Sequence, residues 1–524
     1  MLKIGLIIDD NQIEAWFASA IKKIENTTFS KIELIIDNKS TKKENSFLYK
    51  KLRELDNKLF KQNPDAQKKE QFKTDIKRVD ISNIKEIKDA NLDIIVYGGV
   101  EILKGEILNA SRYGVWAYQF GDFRSSRGMR DGGFWESINN IPQTGITLLK
   151  IDESLNGGTP IYRSYSLTQQ ISPNKNINFA KWLATPFLKR AIKRLDEIGE
   201  EKFFHEIKDL EGEFDFYDYP YLKTPSNKES IIPFAKYIYK FTKRLFLKAL
   251  YFEEWFLMIC LDPKRSHDLN AYKKITSPLG IMWADPFPVK KEDGSGYYIF
   301  VEEMPYSTMK GHLAVLEIDN SGNVEKSTKI LETNTHLSYP NVFKIDDTWY
   351  MIPESGASRK ISLYKATNFP YEWELDMHLM EDVKSADTTL LQKNGKWWMF
   401  VNIDEDQNTL LYNELYLFYA DDFRTNNWKP HPKNPIVSHV AYSRPAGNII
   451  QKDDIMIRPS QKSSLRYGHG TYFNKIEILD ENDYKERVVG KIIPYWDKSI
   501  GGTHTFNQAG DLTVIDAWGL RRKF

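Results

Sequence analysis

Trp283-Ala284-Asp285-Pro286-Phe287 is the first of five short segments that recur along the second half of this sequence. Successive copies are about 48 to 59 residues apart, the range expected for one blade of a β-propeller with a long loop. The repeat therefore predicts an all-β, five-bladed propeller over residues 253–524. The other four copies are Ser338-Tyr339-Pro340-Asn341-Val342, Ser385-Ala386-Asp387-Thr388-Thr389, Ser443-Arg444-Pro445-Ala446-Gly447 and Gly502-Thr503-His504-Thr505-Phe506.

Each segment is followed, about ten residues later, by a strand pattern of aromatic and β-branched residues. Turn residues such as Asp293-Gly294 and Asn394-Gly395 separate the two strands, as in a β-hairpin. A third strand follows in the first four copies but not in the fifth. We expect Glu253–Ile259, just before the first blade, to supply that strand and close the ring, which removes an exposed sheet edge.

The first strand of each propeller blade lines the central axis, so residues that are distant in sequence are predicted to meet there. The ends of the second strands are expected to reach the same place. We predict three catalytic carboxyl groups and five substrate-binding side chains in this axial well. The catalytic candidates are Asp285, Asp387 and Glu354, and the binding candidates are Tyr339, Arg444, Arg458, Gln461 and His504; Glu302 or Glu303 and Asp516 are also within expected reach.

Carboxylates and a guanidinium in one well suit hydroxyl-rich ligands, because paired acids bind sugar hydroxyls or carry out acid–base catalysis. The structural alternative is that Asp285 and Asp387 only begin their strands by turn hydrogen bonds. The sequence leaves both interpretations open.

Residues 1–200 have the pattern of an α/β domain with an open sheet. A strand at 92–97 ends in Gly98-Gly99, where such a sheet usually keeps its ligand site. The other predicted elements are a strand at 3–8, a helix at 12–24, a strand at 32–36, a solvated helical insertion within 40–78 and an amphipathic helix at 178–200.

Residues 201–252 are predicted to be a linker followed by a basic amphipathic helix. Pro220 and Pro225 stand among acids and tyrosines in the linker, and the helical pattern covers 231–250. Such a helix can make peripheral contact with a membrane. Packing between the domains is the alternative that its modest charge favours.

The composition restricts the partners and the location. Lys+Arg 73 against Asp+Glu 72 gives a formal charge of +1, so we expect no nucleic-acid partner. Cys260 is the only cysteine, which excludes a cysteine-rich metal site. We predict no metal ligands, and the sequence leaves the cofactor open. The N-terminus lacks a signal-peptide pattern, and no apolar run is long enough to span a bilayer, so we expect a cytoplasmic protein, with a peripheral location at the inner membrane as the alternative.

The propeller repeat resembles two carbohydrate-related families. Trp283–Phe287 and Ser385–Thr389 are similar to glycoside hydrolase family 43, which implies Asp285 as a base and Asp387 as a modulator. Arg444 stands where that family has its glutamic acid, and a guanidinium cannot donate the proton, so hydrolysis is not expected. The better match is the propeller of glucosamine inositolphosphorylceramide transferases, through Tyr339–Phe343, Met351–Ser355, Ser443–Gly447, Arg458–Gln461 and Thr503–Asn507.

The segment from Leu92 to Ser166 resembles folate-dependent formyltransferases, through Asp93–Gly99, Thr144–Thr147 and Asp152–Gly158. The Asn, His and Asp that this family uses are replaced by Ala117, Gln119 and Asn156. Asp122, Arg124 and Arg127 remain as candidates for binding a phosphate or nucleotide sugar. The same residues are also compatible with an ion-paired surface loop.

Together, the resemblances imply a transferase, acyl or glycosyl, that acts on a sugar or nucleotide sugar in cell-surface glycan or glycolipid biosynthesis. Two alternatives remain. One is a non-catalytic glycan-binding or scaffold protein built from two degenerate domains, and the other is true folate-dependent formyl transfer with unusual residues.

Overall fold

The computed structural model describes residues 1–38, 46–99, 103–121, 132–153, 157–208, 224–406 and 408–523. They form two compact units, Met1–Arg244 and Leu245–Phe524. Among these residues, no helix combines the length and the apolar character that crossing a bilayer requires.

The N-terminal unit is built on a seven-stranded sheet, which confirms the predicted α/β class. Alternate residues of the strand Ile94–Tyr97 face opposite sides: Ile94 and Val96 join one hydrophobic core, and Ile95 and Tyr97 join the other. The first five strands in spatial order pair with one another in parallel. The sixth strand pairs antiparallel with the fifth, and the seventh pairs antiparallel with the sixth. The order is Arg78–Asp80, Ser30–Asp37, Leu2–Ile8, Ile94–Tyr97, Val115–Phe120, Gln143–Ile151 and Gly158–Leu167.

Helices cover the faces of this sheet. The helix predicted at 178–200 is two helices, Pro173–Ala184 and Phe187–Ile198, because Pro186 has no N–H to continue the first one. Two short strands pair antiparallel on either side of the insertion: Gln12–Glu14 comes before it in the chain, and Lys69–Gln71 comes near its end. The remaining helices are Ala15–Glu25, Phe47–Leu59, Ile84–Asp89, Phe134–Asn139, Glu200–Lys208 and Ile231–Leu250, with one 3-10 turn at Gly105–Asn109.

The helix Ile231–Leu250 has the bounds expected from the sequence. Within the N-terminal unit, its Tyr237 hydroxyl donates to Asp56 Oδ1 at 3.1 Å, and its Lys240 ammonium donates to the carbonyls of Ser137 and Ile138. Burial of Asp56 raises the pKa of that carboxyl. Most of the predicted linker, residues 209–223, lies outside the described residues.

The C-terminal unit is the predicted five-bladed propeller. Blades one and two each have four strands, Ile281–Lys290, Gly296–Pro305, His312–Asp319 and Val324–Leu331, then Ser338–Ile345, Thr348–Glu354, Lys360–Asn368 and Glu372–Glu381. Blade three contains Ser385–Lys393, Lys396–Ile403, Glu414–Ala420, Lys429–Pro430 and Val437–Ser438. Blade four contains Ile450–Lys452, Ile455–Lys462, Gly470–Leu479 and Tyr484–Ile492.

The fifth blade joins two distant parts of the chain. Tyr251–Cys260 pairs antiparallel with Leu512–Arg522, from Tyr251 opposite Arg522 to Cys260 opposite Thr513. This pairing confirms that the segment before the first blade closes the ring. The other strands of the blade are Ile500–Gly502, Phe506–Ala509 and Lys273–Ile275, and short 3-10 turns lie at Pro263–Arg265, Leu269–Ala271 and Gly356–Ser358.

The recurring segments share a backbone irregularity. In blades one to three, the register shifts between the first and second strands, so that two residues oppose one. The first extra residue is left-handed each time, with φ +51° at Asp285, +44° at Tyr339 and +51° at Asp387. In blade four the segment is not a regular strand, and Pro445 makes only an isolated bridge to Ser460. The bulges turn these side chains out of the ordinary pleat.

Candidate functional site

The axial side chains form one hydrogen-bonded group, as the propeller geometry predicted. Asp285 Oδ1 accepts from the Thr505 hydroxyl at 2.8 Å, and its Oδ2 accepts from the Tyr339 N–H at 3.2 Å. The Tyr339 hydroxyl in turn meets Thr389 Oγ1 at 2.8 Å and accepts from the Gly447 N–H at 2.8 Å. These bonds link all five blades at the axis.

Arg444 and Asp387 form the charged centre of this group. Arg444 Nε and Nη2 donate to the two oxygens of Asp387 at 2.5 and 3.1 Å, and Nη2 also donates to Glu354 Oε2 at 2.8 Å. The Gln461 amide donates to Asp387 Oδ2 at 2.8 Å. Since the Asp387 side chain is only 1% exposed, this two-point contact supplies the compensation that a buried charge requires.

A second ion pair lies beside Asp285. His504 Nδ1 is 2.5 Å from Asp516 Oδ2, and Nε2 is 3.7 Å from Asp285 Oδ1. Asp516 Oδ1 also accepts from the backbone N–H groups of His504 and Thr505. Burial lowers the pKa of His504, but Asp516 and Asp285 outweigh it and raise that pKa to about 9. His504 is therefore an imidazolium at neutral pH.

The two remaining carboxyl groups hold protons unusually well. Burial raises the pKa of Asp285 to about 7, although His504 opposes the change. Burial also raises the pKa of Glu354 well above its ordinary value, with Arg444 opposing and Asp387 adding to the rise. The group thus contains two ion pairs, Arg444 with Asp387 and His504 with Asp516, beside two carboxyl groups whose pKa values burial raises.

Aromatic rings surround these polar groups. These aromatic residues lie outside the five recurring segments, so the repeat did not predict them. The Trp255 ring stacks on His504 with centroids 4.3 Å apart, and the Tyr467 ring meets the edge of His504 at 5.4 Å. Arg444 lies over the Tyr467 ring at 5.2 Å. The centroid of the Tyr412 ring is 6.1 Å from that of Tyr467. Aromatic faces beside hydrogen-bonding groups are typical of carbohydrate sites.

Three predicted residues have other surroundings. Tyr339 is completely buried, and its hydroxyl bonds to Thr389 and Gly447, so this side chain is not exposed to a substrate. Arg458 is not brought into the group: its guanidinium binds Glu486 and the Tyr442 carbonyl. Glu302 pairs with His336, at 3.1 Å. Among the second-strand acids, Glu354 is the one bonded to Arg444.

One set of side chains has the spacing of metal ligands. Within the parts of the chain that the structure describes, Asp285, His504 and Asp516 place their ligand atoms within 4.8 Å of one another. The donors already have partners, since each ring nitrogen of His504 faces a different carboxylate and Asp516 accepts several N–H bonds. A charged imidazole cannot also be a metal ligand, so an ion would have to displace that proton.

The N-terminal unit offers a separate cavity of about 460 Å³. It lies at the carboxyl ends of Leu2–Ile8 and Ser30–Asp37, the edge at which open parallel sheets bind ligands. Asp9 accepts there from the Tyr97 hydroxyl and from Asn38, at 3.1 and 2.7 Å. The lining residues are Ile8, Asp9, Asp10, Asn11, Asp37, Asn38 and Arg78.

The formyltransferase-like positions are only partly described. Ala117 and Gln119 lie on the strand Val115–Phe120, where neither side chain can accept a proton as a base would. Asp122, Arg124, Arg127 and Asn156 lie outside the described residues, so their predicted role stays a prediction.

By fold, the chain combines an α/β region that resembles formyltransferases with a five-bladed propeller. Solved structures with similar parts include an α-L-arabinofuranosidase from Podospora anserina, at 11% identity, TM-score 0.35, 45% of this chain and 80% of that chain. An N-formyltransferase from Helicobacter canadensis matches at 14% identity, TM-score 0.25, 43% of this chain and 71% of that one.

The sequence of the propeller matches a particular family. Residues 271–509 match the family described as "Glucosamine inositolphosphorylceramide transferase 1, N-terminal". The rice protein glucosamine inositolphosphorylceramide transferase 1 (Oryza sativa subsp. japonica) is 34% identical over 207 residues, which are 39% of this chain and 27% of that protein. The chain therefore spans about a quarter of the length of the curated relative.

Proposed function

We propose that this chain is a transferase of cell-surface glycan or glycolipid biosynthesis and that its propeller binds a sugar ring at the axial group. The observation that carries the proposal is the pair of buried carboxyl groups, Asp285 and Glu354, with raised pKa values. Protonated acids donate hydrogen bonds to sugar hydroxyls, or a proton to a leaving oxygen. The Tyr412 and Tyr467 rings supply apolar faces for the ring of the sugar.

The charges of the group favour the sugar over a phosphate. Its two cations, Arg444 and His504, are already paired with Asp387 and Asp516. A diphosphate would have to compete with these carboxylates, whereas a hydroxyl-bearing ring needs no net charge to bind. The axial group is thus proposed to hold the sugar part of a donor or acceptor.

The relatives support the same class of function. The matched range, 271–509, contains Asp285, Glu354, Asp387, Arg444 and His504. The name of the relatives describes transfer to inositolphosphorylceramide, a lipid. Glycosyl transfer to a lipid acceptor is therefore the form of the proposal that we favour over acyl transfer.

The test separates binding from turnover. Purified protein is mixed with nucleotide sugars and lipid acceptors, turnover is followed by mass spectrometry, and sugar binding is followed by saturation-transfer NMR. Glu354→Gln keeps a hydrogen-bond donor but cannot give up a proton, so we expect turnover to fall by at least about a hundredfold with binding retained. Glu374→Gln, an exposed acid of the same blade, is the matched control and should behave as the native protein.

Asp285→Asn adds a second readout. Because the amide is a permanent donor, we expect its sugar binding to be independent of pH, whereas binding by the native protein weakens as pH rises through about 7. Full turnover by both Glu354→Gln and Asp285→Asn would refute the catalytic assignment.

A non-catalytic glycan-binding role is the second candidate. The hydrogen bonds of Asp387 favour this role: both of its carboxylate oxygens accept from Arg444 or Gln461, which leaves the residue poorly placed to act on a substrate. Sugar binding at the axial group without turnover of any nucleotide sugar, in the same NMR and mass-spectrometry experiments, would support this role over the transferase.

A further inference from the structure

The helix Ile231–Leu250 has an apolar face that the packing of the N-terminal unit does not use. Its buried side chains, Pro233 and Tyr237, lie on one side, where Tyr237 bonds to Asp56. Two rows of exposed apolar residues, each spaced by seven, lie on the other side. These are Ile231, Ile238 and Leu245, and Ile232, Tyr239 and Phe246. We call these six residues the outer face.

The spacing places both rows on the same side of the helix. Seven residues make about two turns, so each row runs along the helix axis. The two rows are about 100° apart around the axis, and Ala235, Thr242 and Ala249 lie between them. Tyr239 and Phe246 are each 63% exposed. Six large apolar side chains in one strip are unusual on a surface and indicate an interaction site.

The charges beside this strip identify the occupant. The helix carries Lys236, Lys240, Lys243, Arg244 and Lys248 and no acidic residue. Lys240 is directed inward to backbone carbonyls, but the other four are exposed. On a 3.6-residue repeat, Lys236 and Lys243 border the outer face along the row of Ile232, Tyr239 and Phe246. Their long stems can lie along an apolar layer while the ammonium groups reach anionic headgroups.

We infer that the outer face of Ile231–Leu250 lies in the interface of an anionic lipid bilayer. An apolar strip bordered by cations, with a tyrosine within it, matches the chemistry of a membrane surface, where hydrocarbon lies beneath negatively charged headgroups. A protein partner would require complementary acidic groups beside an apolar groove, and the helix itself contains no acid to pair with a second copy. The inference is independent of the axial group, because it concerns binding to lipid and not turnover.

The test uses the full chain and vesicles in a co-sedimentation experiment. We expect the native protein to pellet with vesicles of phosphatidylcholine and phosphatidylserine, to remain in the supernatant with phosphatidylcholine alone, and to be released by salt. Tyr239→Ser with Phe246→Ser should weaken binding at least about tenfold. Lys236→Gln with Lys243→Gln should weaken it roughly twentyfold, since each cation near an anionic surface changes partitioning about fivefold.

Two matched controls remove the same kinds of side chain from other parts of the surface. Lys58→Gln with Lys61→Gln removes the same charge from an exposed part of the N-terminal unit, and Leu375→Ser with Val488→Ser removes exposed apolar side chains from the propeller. Both should bind vesicles as the native protein does. Circular dichroism confirms that every variant is folded.

The outcomes separate the possible occupants of the face. A native protein that stays in the supernatant with anionic vesicles at low ionic strength overturns the inference, as does undiminished binding by the Tyr239/Phe246 variant. If light scattering finds a native dimer that this variant converts to monomers, without vesicle binding, the outer face is an interface between copies and the inference is wrong. Loss of sugar turnover would leave vesicle binding unchanged, so failure of the proposed function is seen separately.

Discussion

Removing the Arg444 guanidinium should destabilise the propeller more than any exposed arginine can. Arg444→Met leaves Asp387 and Glu354 without the cation that contacts both of them. A buried ion pair that loses one partner typically costs about 3–5 kcal/mol. Asp387→Asn leaves Arg444 with Glu354 and the Leu411 carbonyl and should cost less, about 1–3 kcal/mol.

The double variant Arg444→Met with Asp387→Asn tests the coupling directly. Since neither charge is then left alone, we expect the pair to be less destabilised than the sum of the single variants by about 2 kcal/mol. Arg424→Met is the control, because Arg424 makes an equally two-point contact with Asp376 at the surface and should cost no more than about 1 kcal/mol.

Urea unfolding followed by tryptophan fluorescence measures these differences. The signal reports mainly on the propeller, because only Trp16, Trp116, Trp135 and Trp182 lie in the other unit. A cost below about 1 kcal/mol for Arg444→Met, or strict additivity in the double variant, would show that Arg444 does not compensate the buried acids.

Two further predictions concern the charge of His504 and the closure of the propeller. Charged His504 stabilises the fold fully below its ordinary pKa of 6.5, and that contribution is lost as pH rises through about 9, so the urea midpoint should fall between those values. His504→Gln should flatten this fall, and a native midpoint that rises with pH would contradict the assignment of the imidazolium. A fragment of residues 245–524 should fold cooperatively in thermal melts, whereas 261–524 should not, because it lacks the strand Tyr251–Cys260 that pairs with Leu512–Arg522. Equal melting of the two fragments would mean that ring closure contributes little.

The propeller and the identity of most axial residues could be predicted from the sequence. The repeat places Asp285, Asp387, Arg444 and His504 in the recurring segments of blades one, three, four and five. In the structure Arg444 bonds to Asp387, and His504 faces Asp285 at 3.7 Å. Equivalent positions meet because each blade presents the same strand to the axis. Propeller repetition therefore carries information about the site as well as the fold.

The aromatic residues of the site, and the contacts that each axial side chain makes, could not be predicted from the repeat. Trp255 and Tyr467 lie outside the repeated segments, in the closing strand and in a loop of blade four, so no periodicity marks them. Arg458 and Gln461 were both expected at the axis, yet residues three apart on one strand point to opposite faces. The structure accordingly directs Gln461 to Asp387 and Arg458 to Glu486.

The closing strand has a consequence for the order of events during synthesis. The ribosome makes Tyr251–Cys260 before any of the first four blades. One edge of the strand pairs with Lys273–Ile275, but its long partner exists only when Leu512–Arg522 has been made. Asp516 and His504, which complete the axial group, also belong to the last part of the ring. The nascent chain therefore carries this apolar strand without its long partner while the first four blades are made. Binding competence at the axis appears only in the final step, when the two ends of the propeller meet.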